Sequence, residues 1–176
     1  VYLFRGIALA TIVPSTRLLE DIEEAEQMPI LTEKAKSEYL ISPILSEIQE
    51  RNIEFTQLFS GYTFDVDKEK GLKGHCDFLL SKNYKSPFIE APIFTIVEAK
   101  RDDIEMGVPQ CIAEMYAARI FNERQGKPIE VIYGCVTTGI EWQVMKLEGN
   151  TVLFDDRRYY TRNLNEILGV LQKIIE

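Results

Sequence analysis

Residues that often betray a mechanism are scarce in this chain: it has three cysteines, one histidine and one tryptophan in 176 residues. Cys76, Cys111 and Cys135 are an odd number, widely spaced and free of any CxxC pair. That excludes a disulfide framework and a zinc knuckle, both of which need more cysteines at closer spacing. All three lie among apolar residues and read as small buried side chains, so a reducing, cytoplasmic compartment is the expectation. The lone His75 has no nucleophile motif spaced around it, which leaves Ser-His-Asp and Cys-His catalysis without support. No stretch reaches the roughly 18 apolar residues of a membrane helix, so no membrane partner is expected. The apolar run 7–13 is too short to span and precedes no small-residue cleavage pattern, so a signal peptide is not expected. Internal repeats and low-complexity tracts are also missing.

Positive charge is the other shortage. Twenty Lys and Arg stand against 28 Asp and Glu, a net charge of −8. A protein that coats nucleic acid through bulk charge is usually basic. The acidity argues less strongly against a metal-dependent enzyme, because carboxylates are the natural ligands of Mg²⁺ and a local basic rim can coexist with an acidic total.

What remains is the composition of an ordinary globular domain, 45% hydrophobic and 27% charged, long enough for one sizeable core. Residues 1–31 read as an N-terminal arm or extension, with the acidic stretch 17–27 a short solvated helix or an arm. Residues 32–176 read as a single domain. From Thr32, a plausible N-cap, the spacing of Ala35, Tyr39, Leu40, Ile44, Leu45 and Ile48 predicts a helix that Pro43 should kink or split. The pattern then changes to strands. One runs through Phe55 to Val66, a second covers 72–81, and a third, 93–99, is almost wholly apolar as a central buried strand should be. A helix is predicted over 108–123, with Pro109 suited to its first turn and Gly126 and Pro128 ending it. Strands at 129–136, 140–147 and a short one at 151–154 follow, then an amphipathic helix over 164–175 with Asn163 as its cap. The order α-β-β-β-α-β with a trailing hairpin and helix implies an α/β fold, a mixed sheet flanked by helices.

Glu98-Ala99-Lys100 closes the third strand and is the only [D/E]-x-K triplet in the chain. Side chains two apart on a strand share a face, so Glu98 and Lys100 project together. Charges ending a buried apolar strand need a reason to be there. If the second strand pairs with the third, Asp77 comes beside Glu98, and two close carboxylates repel unless a cation lies between them. A salt bridge at a strand terminus, with Asp77 an ordinary turn residue, is the competing reading of the same residues.

Residues 71–122, GLKGHCDFLLS through PIFTIVEAKRDDIEMGVPQCIAEMYAARIFN, resemble the PD-(D/E)xK nuclease superfamily, with its restriction-endonuclease-like fold. The likeness is to a group of largely uncharacterised bacterial proteins and, more loosely, to the nuclease regions of type I restriction subunits. The segment 133–147 resembles the strand pair that follows in the same group. The motif positions are Asp77, Glu98, Lys100 and Gln110. Cys76 stands where the motif's name has Pro, and Glu114 stands where a Tyr often follows the Gln.

The resemblance implies a phosphodiester hydrolase, a (deoxyribo)nuclease that uses metal-activated water. Asp77, Glu98 and the backbone carbonyl of Ala99 would hold Mg²⁺, with Mn²⁺ as a substitute. Lys100 would orient or help deprotonate the water and stabilise the charged phosphorane, and Gln110 would contact phosphate or wall the site. Glu38 is the first choice for a further metal-associated carboxylate, ahead of Glu33 and Glu47, though it reads equally as a solvated helix residue. Lys73 and Arg101 are candidates for nucleic-acid contact, within a possible basic rim of Lys68, Lys70, Lys73, Lys82 and Lys85 that also reads as solvated loop. DNA is the expected partner, with a homodimer or partner subunit as a further possibility. The alternative is a nuclease-fold binding or scaffold subunit that does not cut.

Overall fold

In a computed structural model of the chain the described residues are 1–176 except 68, 71 and 84, and the side chains at 64, 65, 67, 73 and 74 are likewise outside the description. Helix α1 spans Thr16–Glu26. A continuous helical run follows, made of α2 (Glu33–Lys36), a π-helical turn (Ser37–Ile41) and α3 (Ser42–Arg51). Strands β1 (Gln57–Asp67), β2 (Leu72–Ser81) and β3 (Ile93–Ala99) precede α4 (Val108–Arg124). Strands β4 (Val131–Thr137), β5 (Glu141–Glu148) and β6 (Thr151–Tyr160) lead to α5 (Leu164–Ile175).

The six strands form one open mixed sheet in the order β1-β2-β3-β4-β5-β6. All neighbours are antiparallel except β3 and β4, which run parallel. A parallel pair requires a crossover, and α4 supplies it. One core packs α4, through Cys111, Met115 and Ala118, against Leu79, Ile96 and Val136. The opposite face carries α1, α3 and α5, with Ile44, Leu45 and Leu168 against Phe78, Val97 and Trp142. Strand β3 lies between the two cores, and all seven of its residues are buried.

Thr32 caps the helical run, its hydroxyl accepting from the Ala35 amide at 3.0 Å. Pro43 neither splits nor ends the run. The backbone widens into the π turn just before it, and the Ser42 amide reaches back to the Ser37 carbonyl. Proline offers no N–H and crowds the carbonyl four residues earlier, so a wider turn relieves the clash while the helix continues. Residues 1–31 send Phe4, Ile12, Leu18, Ile22 and Ala25 into the core beside α3. Ser15 caps α1 through Leu18 and is itself gripped by the buried Glu47 carboxylate, at 2.7 Å from its amide and 2.5 Å from its hydroxyl.

Strand β6 is longer than its sequence pattern predicts, running to Tyr160 rather than stopping near 154. The polar run DDRRYY hides its strand character, because its partners are tertiary. Asp155 is buried and accepts from the Tyr159 hydroxyl at 2.7 Å, and Arg158 reaches Glu141 across the ladder at 3.4 Å. Trp142, paired with Tyr159, is fully buried and donates its indole N–H to Thr161 at 3.0 Å.

Ile44 is wholly buried where α3 meets the sheet. Ile44→Ala is expected to destabilise the chain by about 3 kcal/mol through lost transfer energy and a residual cavity. Urea unfolding should show a lower midpoint with an unchanged slope.

Candidate active site

Strand β3 leaves the sheet at Glu98 and Ala99, and Lys100 follows at once. Its amide still donates to the Thr137 carbonyl of β4 at 2.9 Å, so Lys100 keeps the strand's geometry. Glu98 and Lys100 therefore face the α4 side together, with 3.0 Å between Lys100 Nζ and Glu98 Oε1. Phe78 pairs with Val97, and continuing that register sets Asp77 opposite Glu98. Asp77 Oδ2 accepts the Ala99 amide at 2.8 Å, which fixes its carboxylate across the strand end.

Helix α4 closes the site from above. Gln110 lies on its first turn and bridges three elements. Its Oε1 is 3.5 Å from Lys100 Nζ, and its Nε2 donates to Glu114 Oε1 at 3.1 Å and to the His75 carbonyl at 3.5 Å. Glu114, one helical turn on, is buried beneath it. Asp77, Glu98, Lys100 and Gln110 are thus brought into one cluster, with Glu114 as a fifth member.

The cluster is short of positive charge. Three carboxylates surround one ammonium, and Glu98 is only 1% exposed. Burial, then the charges of Asp77 and Glu114, push the Glu98 carboxyl up to about 8 against the partial relief from Lys100. Burial likewise lifts Glu114 to about 7, with Asp77 adding to the rise and Gln110 and Cys76 opposing it. Burial alone would depress Lys100. The hydrogen bond and charge of Glu98 outweigh it, with Glu33 and Asp77 assisting, and the lysine is held above its ordinary value. Among the described residues one oxygen of Glu98 and one of Glu114 are buried without a hydrogen-bond partner. An acceptor in that state needs a proton or a cation. These donors are hard oxygens, which suits Mg²⁺. Among the described residues no three Asp, Glu, His or Cys side chains converge into a complete metal cage, so any ion here would draw on waters and backbone for part of its shell, as Mg²⁺ usually does.

The other expected positions separate. Glu38 is exposed, 3.7 Å from Lys34, on an open groove that Glu33, His75 and Asp77 also line. Glu33 is close enough to act on Lys100, whereas Glu47 is committed to Ser15 on the far side of α3. Arg101 is exposed and spends its guanidinium on Asp102 at 2.7 Å. Lys68 and the side chain of Lys73 lie outside the described residues. Lys82 sits over the Phe94 ring at 5.5 Å, on the face opposite α4. His75 is exposed, with its Nδ1 3.3 Å from the Thr63 hydroxyl. The three cysteines are free and buried.

Two members of this neighbourhood escape a reading by motif. Glu114 stands where the resemblance expects a tyrosine, although its spacing of four from Gln110 already puts both on one helix face. Glu33 gives no local sign of its role. Comparison with protein-family models, curated proteins and solved structures found no match. No helix among the described residues is long and apolar enough to cross a membrane.

The raised carboxyls have a thermodynamic consequence. In the folded chain Glu98 and Glu114 keep protons that the unfolded chain releases near its ordinary value of 4.5. Their contribution to stability is therefore complete below about pH 4.5 and is lost as pH rises to about 8. Metal-free protein melted at pH 5, 6, 7 and 8 should show Glu98→Gln gaining on the wild type at each step upward. A difference between the two that stays constant with pH would contradict the buried, proton-holding Glu98.

Proposed function

We propose that this chain is a divalent-metal-dependent nuclease of the PD-(D/E)xK kind that hydrolyses phosphodiester bonds in DNA. One observation carries the reading: three carboxylates and one lysine gather at the end of a buried strand, and among the described residues two of the carboxylate oxygens are buried without a hydrogen-bond partner. The mixed sheet, with α4 crossing between its parallel strands and supplying Gln110, supports it further.

Asp77 and Glu98, with the Ala99 carbonyl, would hold Mg²⁺ or Mn²⁺. Such an ion supplies Lewis acidity to water and offsets charge on the phosphate. The chain's own groups do the rest. Asp77 is pinned by the Ala99 amide, so its remaining oxygen is directed without the entropy of a free side chain. Lys100, kept protonated by its acidic neighbours, donates to the attacking water and stabilises the oxyanion that grows on phosphorus. Gln110 holds Lys100 from the α4 side and turns its amide toward Glu114, which keeps that carboxylate in place.

A second reading, a nuclease-fold scaffold that needs a partner for nucleic-acid affinity, is favoured by the net charge of −8. The two separate in one experiment. Labelled single- and double-stranded DNA and RNA are incubated with the protein and Mg²⁺ or Mn²⁺, while calorimetry follows Mn²⁺ binding. The nuclease reading expects cutting that falls about 100-fold or more in Lys100→Ala, and Mn²⁺ heat that disappears in Asp77→Asn. Cutting unchanged in Lys100→Ala removes this site. A wild type that neither cuts nor binds Mn²⁺ leaves the scaffold.

A further inference from the structure

The segment that follows the candidate general catalyst Lys100 is held by a buried lysine that no part of the motif includes. Lys36 ends α2 and is only 8% exposed. Its ammonium donates to the carbonyl of Arg101 and lies 3.5 Å from Asp102 Oδ1, a contact across 65 positions of sequence. Lysine is almost never buried without a partner, and the walls around this stem suit an apolar residue. Leu40 flanks it, and the Thr138–Ile140 turn presses on it through Gly139. That glycine adopts a φ of +83°, and a Cβ there would stand 3.1 Å from Leu40 and 3.6 Å from Lys36. The stem thus lies between the β4–β5 turn and the segment after β3.

The π turn explains how Lys36 comes to aim there. One extra residue in a helical turn offsets the faces before and after it by about 100°. Leu40, Ile41, Ile44 and Leu45 face the core, while Lys36 reaches the end of β3. Glu33, on the same short helix, lines with Asp77 the open groove beside the site.

We propose that Lys36 is a positioning residue: it fixes the backbone at Arg101 and so holds Lys100 over Glu98. The Arg101 carbonyl bond, rather than the Asp102 pair, is the working contact, because Asp102 is mostly solvated and shared with Arg101. The tether stands on geometry alone, and its bearing on catalysis rests on the nuclease reading.

The test is amide exchange by NMR on the full chain, comparing wild type with Lys36→Met, Lys36→Arg and Asp102→Asn. Methionine keeps the apolar stem and removes only the ammonium. In Lys36→Met the Lys100 amide, bonded to Thr137, should exchange about tenfold faster or more while the core amides of β5 keep their rates. Lys36→Arg, which still donates, should recover most of that protection, and Asp102→Asn should leave it intact. A Lys100 rate unchanged in Lys36→Met overturns the tether. So does equal acceleration throughout β5, which would mark a purely structural lysine, or full loosening by Asp102→Asn. Mg²⁺-dependent cutting is measured in parallel, with kcat expected to fall in Lys36→Met and KM to change little. Loosening with kcat unaltered overturns the positioning role. A wild type that does not cut refutes the nuclease reading and leaves the tether to be decided by exchange.

Discussion

A carboxylate buried at the end of a strand is the constraint on which this site depends. Strand β3 has every residue buried, between one neighbour running antiparallel and one running parallel, and beneath helices on both faces. A charge there cannot be left to water. Lys100 supplies one countercharge, yet burial and the neighbouring Asp77 and Glu114 oppose ionisation, so Glu98 holds its proton up to about pH 8. An isolated ion pair of this depth tends to cost as much in desolvation as it returns in attraction. Retaining three carboxylates around one ammonium is therefore poor construction for stability alone.

The same parallel pairing that buries β3 also furnishes its lid. Two parallel neighbours require a long crossover, and the crossover helix starts beside the strand end it has just left. Gln110, in the first turn of α4, is consequently within reach of Lys100, and Glu114 follows one turn further along. Close packing continues beneath them, where Gly134 leaves room for Cys111 and Met115 against the sheet. Topology and chemistry are thus coupled through a single connection.

The segment between β3 and α4 is anchored from two sides. Lys36 grips its start, and Arg158 of β6 grips Glu105 near its end at 2.5 Å while also reaching Glu141. Exposed ion pairs contribute little singly. Two anchors on an eight-residue connection nonetheless restrict where its backbone can go. The anchors come from α2 and from the last strand, so the site is assembled from nearly the whole length of the chain.

Much of this was legible beforehand because it depends on local periodicity. The limits of β2, β3 and α5 follow from alternation, continuous burial and an amphipathic repeat, and the shared face of Glu98 and Lys100 follows from the two-residue period of a strand. Strand β6 was legible only to its midpoint, since Asp155 and Arg158 find their partners on other elements. Pro43 announced a disturbance, but the sequence did not tell that the helix would run on through a π turn instead of breaking. The sequence by itself determined the order of strands and helices and the shared face of Glu98 and Lys100, because neighbours in the chain dictate these. Tertiary structure alone decided that Asp77 is pinned by Ala99, that Glu114 completes the acidic cluster, that Glu33 and not Glu47 lies near Lys100, and that Lys36 holds the turn beyond it. Those are contacts between residues far apart in the chain, and no local pattern encodes the distance between them.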